Sequence, residues 1–215
     1  MRHRPLGDKP ELRVYFPTDM RIIAGTFRTR RLIGPDSMTT RPITDRAKQS
    51  LFDALTCAAR IPDAVVLDCF SGTGSLGLEC LSRGAARAIF LERDRNALDG
   101  LRNNIRALRV EPMCDVLAAD AYHAGLLLSG KLRGQRLGLA FIDPPYVHME
   151  TLDGRNRVDE LIRMVAEFMA PESLMILRHP REITLDDMAV RSRVVREFNY
   201  GAMAITWLSA GTKPE

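Results

Sequence analysis

The sequence is poor in the residues that build metal and disulfide frameworks. It has four cysteines, Cys57, Cys69, Cys80 and Cys114, and no two keep a C-x-x-C spacing. Each lies in an apolar, element-like context, which predicts reduced core thiols in a cytoplasmic protein and excludes a zinc ribbon or a disulfide-held frame. The four histidines, His3, His123, His148 and His179, are scattered without an H-x-x-x-H pair, so no metal is expected. No apolar run approaches the roughly 20 residues that a membrane-spanning helix needs, so no membrane association is expected. The opening MRHRPLGDKPEL is basic and lacks the apolar stretch of a secretory signal. Internal repeats and low-complexity tracts are missing as well.

What remains is a chain of 215 residues, a length that suits one α/β domain with a modest appendage. Its net charge of +4 is unevenly spread. Residues 1–60 carry 12 Lys and Arg against 6 Asp and Glu, whereas residues 61–215 carry 19 against 21. All the excess positive charge thus lies ahead of the main body. An ordinary solvated face would account for it, and so would a surface that binds a polyanion, because phosphate neutralisation needs clustered Lys and Arg.

Local patterns divide the chain into three parts. Residues 1–19 mix charges and prolines with few apolar side chains and are expected to be poorly structured. Residues 20–60 form the basic appendage. RIIAGTFRTRRLIG, with turn-capable Gly25, predicts a short strand pair. After the loop PDSMTTRPI, TDRAKQSLFDALTCAA predicts a helix capped by Thr44, with Ala47, Leu51, Phe52, Leu55 and Ala58 on one face. Residues 61–215 then alternate strand and helix. Strands are predicted over 64–70, 87–92, 114–120, 136–143 and 173–179. Helices are predicted over 75–84, 95–108 and 158–169, and VVREFNY and AMAITWL form a closing antiparallel pair. The expected fold is a mainly parallel seven-stranded sheet with helices on both faces and a small N-terminal strand and helix appendage.

Ligands of such sheets bind beyond the carboxyl ends of the strands. Asp68, Glu92, Asp120 and Asp143 all fall at or next to predicted strand ends on that edge. GTGSLG at 72–77 fits the G-x-G-x-x-G loop between a strand and a helix, and Glu92 lies 20 residues beyond Gly72. That pattern by itself admits a dinucleotide. Asp68, directly ahead of the loop, would repel a pyrophosphate by a few kcal/mol at an effective dielectric of about 20. It would attract the cationic amino-acid end of S-adenosylmethionine instead.

With D-C-F-S-G-T-G, E-R-D, A-D-A and D-P-P-Y in this order, the chain resembles class I, Rossmann-like S-adenosylmethionine-dependent methyltransferases. MRIIAGTFRTRRL, RPITDRAKQSLFDAL and LDCFSGTGSLGLECLSRGA narrow the likeness, from Met20 to about Trp207, to the RsmD family of 16S ribosomal RNA guanine-N2 methyltransferases. The resemblance implies S-adenosylmethionine as cofactor. Asp68 and the loop Phe70, Ser71, Gly72, Thr73 and Gly74 would hold its methionine end and Glu92 its ribose. Asp120 would take its adenine amino group, with Arg93 and Ala121 beside these acids in their motifs. Arg21, Arg28, Arg30, Arg31, Arg41 and Arg46 would grip RNA phosphates, with Arg41-Pro42 and Thr44 closing over the pocket. The implied partner is 16S ribosomal RNA or an assembly intermediate of the small subunit, bound by a monomer. The competing expectations are a DNA adenine-N6 methyltransferase, a non-catalytic RNA-binding protein that senses the cofactor, and a nicotinamide-dependent oxidoreductase.

FIDPPY, at 141–146, carries the chemistry. Proline cannot donate to a sheet ladder, and the residue before it is held extended, so the strand should stop at Asp143. An aromatic exocyclic amine is a poor nucleophile because its lone pair is delocalised into the ring. Hydrogen bonds from its two N–H groups to fixed acceptors would pull the nitrogen toward a tetrahedral geometry. Asp143 offers one acceptor and the Pro144 carbonyl the other, with both prolines stiffening the site. Tyr146, which is also aromatic, offers a face for the extracted base, and Asp143 also borders the cofactor.

Overall fold

A computed structural model of the chain describes residues 20–34, 43–186, 188, 190 and 193–211. The expected extension at 1–19, together with Arg41 and Pro42, lies outside the described residues. Helix α1 spans Asp45–Cys57, and Thr44 caps it by accepting from the Ala47 amide at 3.3 Å. Seven strands follow: β1 Val65–Cys69, β2 Arg87–Glu92, β3 Cys114–Ala118, β4 Leu137–Ile142, β5 Met169–Pro180, β6 Val194–Tyr200 and β7 Met203–Ser209. Between them run α2 Ser75–Ser82, α3 Arg95–Leu108, α4 Gly125–Leu132, the single turn α5 Val147–Glu150, and α6 Leu152–Ala166. The sheet order is β3-β2-β1-β4-β5-β7-β6, with β1 to β5 parallel and β7 antiparallel to both β5 and β6. This is the Rossmann-like arrangement of class I methyltransferases. The strand order turns back at β1, between β2 and β4, which is where such sheets open a ligand crevice.

Alternation along the strands fills two cores. Val66, Phe90, Leu139 and Phe141 face the layer that holds α1, α2 and α3. Leu67, Ile89, Leu91, Ala140 and Ile142 face the layer that holds α4, α5 and α6. The basic front segment belongs to the first layer: Ile22, Leu32, Leu51, Phe52 and Leu55 are buried in one cluster with the strand residues. Phe52 stands 5.8 Å from the Phe141 ring, so α1 covers the strand that ends in FIDPPY. Removing such a fully buried phenylalanine would cost about 3–5 kcal/mol.

Several local expectations differ from the structure. Residues 21–34 make one antiparallel bridge, Arg21 to Arg31, rather than a strand pair. The segment is too short to extend a ladder and instead turns at Gly25, whose φ is +85°. A Cβ at Gly25 would lie 1.8 Å from the Ser82 carbonyl oxygen, the group to which the Thr26 amide donates. Only glycine lets the front backbone approach the end of α2 so closely. The helix expected at 158–169 starts at Leu152, capped by Thr151, and stops at Ala166 because Met169 already pairs with Leu137 in the sheet. Helix α4 has no counterpart among the sequence expectations. Two glycines dilute its pattern, and its buried residues are Leu128 and Leu132. Cys57, expected in the core, is exposed at the end of α1, whereas Cys69 and Cys80 are buried.

Candidate active site

The loop after β1 is built from backbone that turns left-handed three times, at Phe70 (φ +59°), Gly72 (+54°) and Gly74 (+84°). Two fingerprint glycines are there for packing. A Cβ at Gly74 would sit 2.4 Å from Leu101, and one at Gly77 would sit 2.4 Å from the Phe90 ring. At Gly72 nothing lies within 4 Å of such a Cβ, so the loop presents open space there. Beside it the Ser71 hydroxyl is buried with no hydrogen-bond partner among the described residues. Leaving a buried hydroxyl unpaired costs about 1–3 kcal/mol, so the site is chemically incomplete without a ligand. An open glycine and an unsatisfied hydroxyl at the crevice fit a small polar cofactor such as S-adenosylmethionine. Thr73 is buried, and its carbonyl accepts from Asn104 at 2.9 Å, which ties the loop to α3.

Parallel register brings the four acids to one edge, since Cys69 pairs with Leu91 and Ile142, and Glu92 pairs with Ala118. Their environments differ. Asp68 is 1% exposed and accepts from the Gly77 amide at 2.9 Å, inside the first turn of α2. Burial pushes this carboxyl up to about 8, helped by the negative charges of Asp143 and Glu92 and opposed by the Gly77 hydrogen bond. The sequence argument that a full Asp68 charge repels a pyrophosphate is therefore weakened, because desolvation favours the neutral acid. Glu92 accepts from the Gly72, Arg93 and Asp94 amides, each at 2.8 Å, and so joins the loops after β1 and β2. Asp120 accepts from the Tyr122 amide at 3.1 Å and pairs with the exposed Arg93 at 3.0 Å, while Ala121 is buried beneath it.

Asp143 follows the last residue of β4 and Pro144 is buried behind it. The sheet register that pairs Ile142 with Leu177 sets Arg178 of β5 against Asp143, and the guanidinium Nε donates to Asp143 Oδ1 at 2.5 Å. The same guanidinium lies 5.5 Å from the centre of the Tyr146 ring. Burial lifts the Asp143 carboxyl above the ordinary carboxylate range, and Arg178 pulls against that rise. Sequence reading missed Arg178, whose one signal is a charge at the end of the apolar run LMIL. It also missed a polar aromatic group at the same edge. Tyr122 shares a 2.8 Å hydrogen bond with His148 Nδ1, Phe70 meets the Tyr122 ring edge-on at 5.4 Å, and Arg157 lies 4.4 Å over that ring.

The predicted RNA contacts belong in sequence to the front segment, residues 21–46. Arg28, Arg30, Arg31 and Arg46 are exposed, Arg21 is exposed and paired with Asp45 at 3.1 Å, and Arg41 lies outside the described residues. What anchors this segment is an acid that sequence reading passed over. Glu79 of α2, with 0% exposure, accepts from the Ile23 amide at 2.8 Å, the Ala24 amide at 3.0 Å and Arg83 at 2.8 Å. Lys48 lies 3.2 Å from the same carboxylate and also donates to the Arg21 carbonyl and to Ser75 at the start of α2. Among the described residues no group of three His, Cys, Asp or Glu side chains is placed to hold a metal, and no helix is long and apolar enough to cross a membrane.

Comparisons with known proteins bear on the family and the fold. The model of the family described as Conserved hypothetical protein 95 matches residues 20–209. The Ribosomal RNA small subunit methyltransferase D of Escherichia coli K12 is 33% identical over 187 residues, covering 86% of this chain and 87% of that protein. The solved structure of yhhF from Escherichia coli superposes with a TM-score of 0.71 at 32% identity, over 90% of this chain and 98% of that one. A hypothetical protein of Thermus thermophilus superposes with a TM-score of 0.70 at 28% identity, over 88% and 98%. With its glycine loop, its edge of acids and D-P-P-Y in their expected places, the chain belongs to the RsmD family of ribosomal RNA methyltransferases.

Proposed function

We propose that this protein transfers a methyl group from S-adenosylmethionine to the exocyclic N2 amino group of a guanine in 16S ribosomal RNA, at the 966-type site of the small subunit. The observation that carries the reading is the position of Asp143 and Pro144, one strand from the open glycine loop at the turning point of the sheet. When bound, S-adenosylmethionine supplies an electrophilic methyl carbon on a sulfonium. Ser71, Gly72, Glu92 and Asp120 would hold it, with Asp68 organising the loop through the Gly77 amide. Asp143 and the Pro144 carbonyl accept the two N–H bonds of the target amine and aim its lone pair at the methyl carbon. Transfer of that methyl would leave the carbon–sulfur electron pair on sulfur, and the proton lost by the nitrogen would pass to the Asp143 carboxylate that accepts its N–H, or to water. Tyr146 supports the extracted base. The exposed arginines of the front segment take the RNA backbone of the free RNA or of an assembly intermediate.

Incubation with labelled S-adenosylmethionine and either 16S RNA or small subunits, followed by mapping of the modified nucleotide, tests this directly. Asp143→Ala should lower turnover by roughly 10²–10³ and change cofactor affinity far less. Label on a base other than guanine, on DNA in preference to RNA, or wild-type turnover in the variant would each overturn the reading.

A further inference from the structure

We infer that Arg178 is a positioning residue for methyl transfer: it holds the Asp143 carboxylate ionised and aimed, and braces the Tyr146 ring beside it. This rests on the reading of Asp143 as the amine acceptor. The geometry is specific. Arg178 ends the apolar run of β5, and the parallel register with β4 places it level with Asp143. Its side chain is 11% exposed and that of Asp143 is 18% exposed, so the pair is largely shielded from water. Nε is committed to Asp143 Oδ1 at 2.5 Å, Nη1 approaches the Met203 sulfur on β7 at 3.7 Å, and the guanidinium plane reaches the Tyr146 ring. One cation therefore fixes three parts of the pocket: the acceptor, the stacking ring and the neighbouring strand.

The chemistry requires such a group. Asp143 must present a lone pair to one N–H of the amine, and with Oδ1 committed to Arg178 a proton on Oδ2 would put a donor where that lone pair is needed. Among the described residues, the charged and titratable groups near Asp143 are Arg178 from β5, Asp68 from β1 and Tyr146 from the same loop. Burial favours the neutral acid, and the guanidinium, by charge and by hydrogen bond, favours the carboxylate. A cation at this distance typically lowers a carboxyl by roughly 1–3 pH units. Arginine suits the task better than lysine, since its planar fork can bond the carboxylate and lie against a ring at once.

The test compares Arg178→Gln and Arg178→Lys with the wild type, each checked for fold by thermal melting and for S-adenosylmethionine binding by calorimetry. In R178Q the acid limb of kcat against pH should move up by roughly 1–3 units, and the Asp143 carboxyl resonance should titrate higher by the same amount. R178K keeps the charge, so its acid limb should stay within about half a unit of wild type while kcat falls several-fold at unchanged cofactor affinity. An acid limb in R178Q that coincides with wild type would overturn the inference. Should R178Q not fold, R178K decides, and a shift of about one unit or more in that variant would overturn it. Asp143→Ala, assayed alongside, separates the two readings. An inactive D143A with an unmoved R178Q profile removes only the role of Arg178, whereas a fully active D143A removes the acceptor reading itself.

Discussion

Replacing Glu79 by glutamine perturbs the point where the basic front segment is fastened to the body. The carboxylate has 0% exposure and accepts from two backbone amides, Ile23 and Ala24, and from Arg83, with Lys48 at 3.2 Å. Whichever way a glutamine amide is turned, its NH2 group faces one backbone N–H and one cation. Lys48, 2% exposed, then loses its counter-ion. Burial already pulls the Lys48 ammonium down, and Glu79 is what holds it up. Breaking one side of a buried ion pair typically costs about 3–5 kcal/mol. At roughly 2–4 °C per kcal/mol for a domain of this size, the melting temperature should fall by about 6–20 °C. Urea unfolding should give the same loss in free energy, and amide exchange should speed up at residues 22–32 before the sheet is affected. Exchanging Lys48→Met with Glu79→Leu removes the stranded ammonium but leaves Arg83, 8% exposed, without Glu79 and the Ile23 and Ala24 amides without their acceptor, so it should recover little of the loss. A Glu79→Gln protein within about 1 kcal/mol of wild type, with the Ile23 and Ala24 amides still protected, would refute the reasoning.

Gly25→Ala should destabilise by about 2–4 kcal/mol, since its Cβ would strike the Ser82 carbonyl at 1.8 Å and the residue holds a positive φ; a melting curve that matches wild type would show that the turn can shift freely. Asp68→Asn should flatten the pH dependence of stability. The folded carboxyl is pushed from 3.8 up to about 8, so the folded chain binds that proton more tightly than the unfolded chain between those values. Wild-type stability should therefore fall as pH rises from about 4 to about 8, and melting curves of the two proteins that stay parallel over this range would count against the buried acid. Replacing Arg28, Arg30 and Arg31 together by alanine should raise the RNA dissociation constant and flatten its log–log salt slope by about 2, with S-adenosylmethionine affinity within a few-fold of wild type. An unchanged salt slope would place the RNA surface elsewhere.

Legibility in the sequence followed the range of the interaction. Helix α1 with its Thr44 cap, the β1 to β4 alternation and the stop at Asp143 are local, set by side-chain period, capping and proline geometry within a few residues. The glycine loop and the edge of acids were readable because a parallel sheet puts every strand's carboxyl end on the same side. Where local signals were weak, the reading failed: α4 has glycines in its pattern, and the 21–34 segment is too short to show that it makes one bridge rather than a ladder.

The sequence by itself determined the chemistry on offer: a carboxylate, a fixed carbonyl and an aromatic ring after a strand, beside a loop that only glycine can form. Tertiary structure decided the state in which those groups stand. Arg178 meets Asp143 across 35 residues, because β5 lies next to β4 in one register. Asp68 is turned from an exposed charge into a buried acid on the Gly77 amide, and Glu79 becomes the anchor of the front segment through contacts 55 and 56 residues away. Spacing along the chain carries no trace of such pairs. Desolvation and Coulomb energy depend on distance and burial, and both are fixed only when the strands are laid side by side.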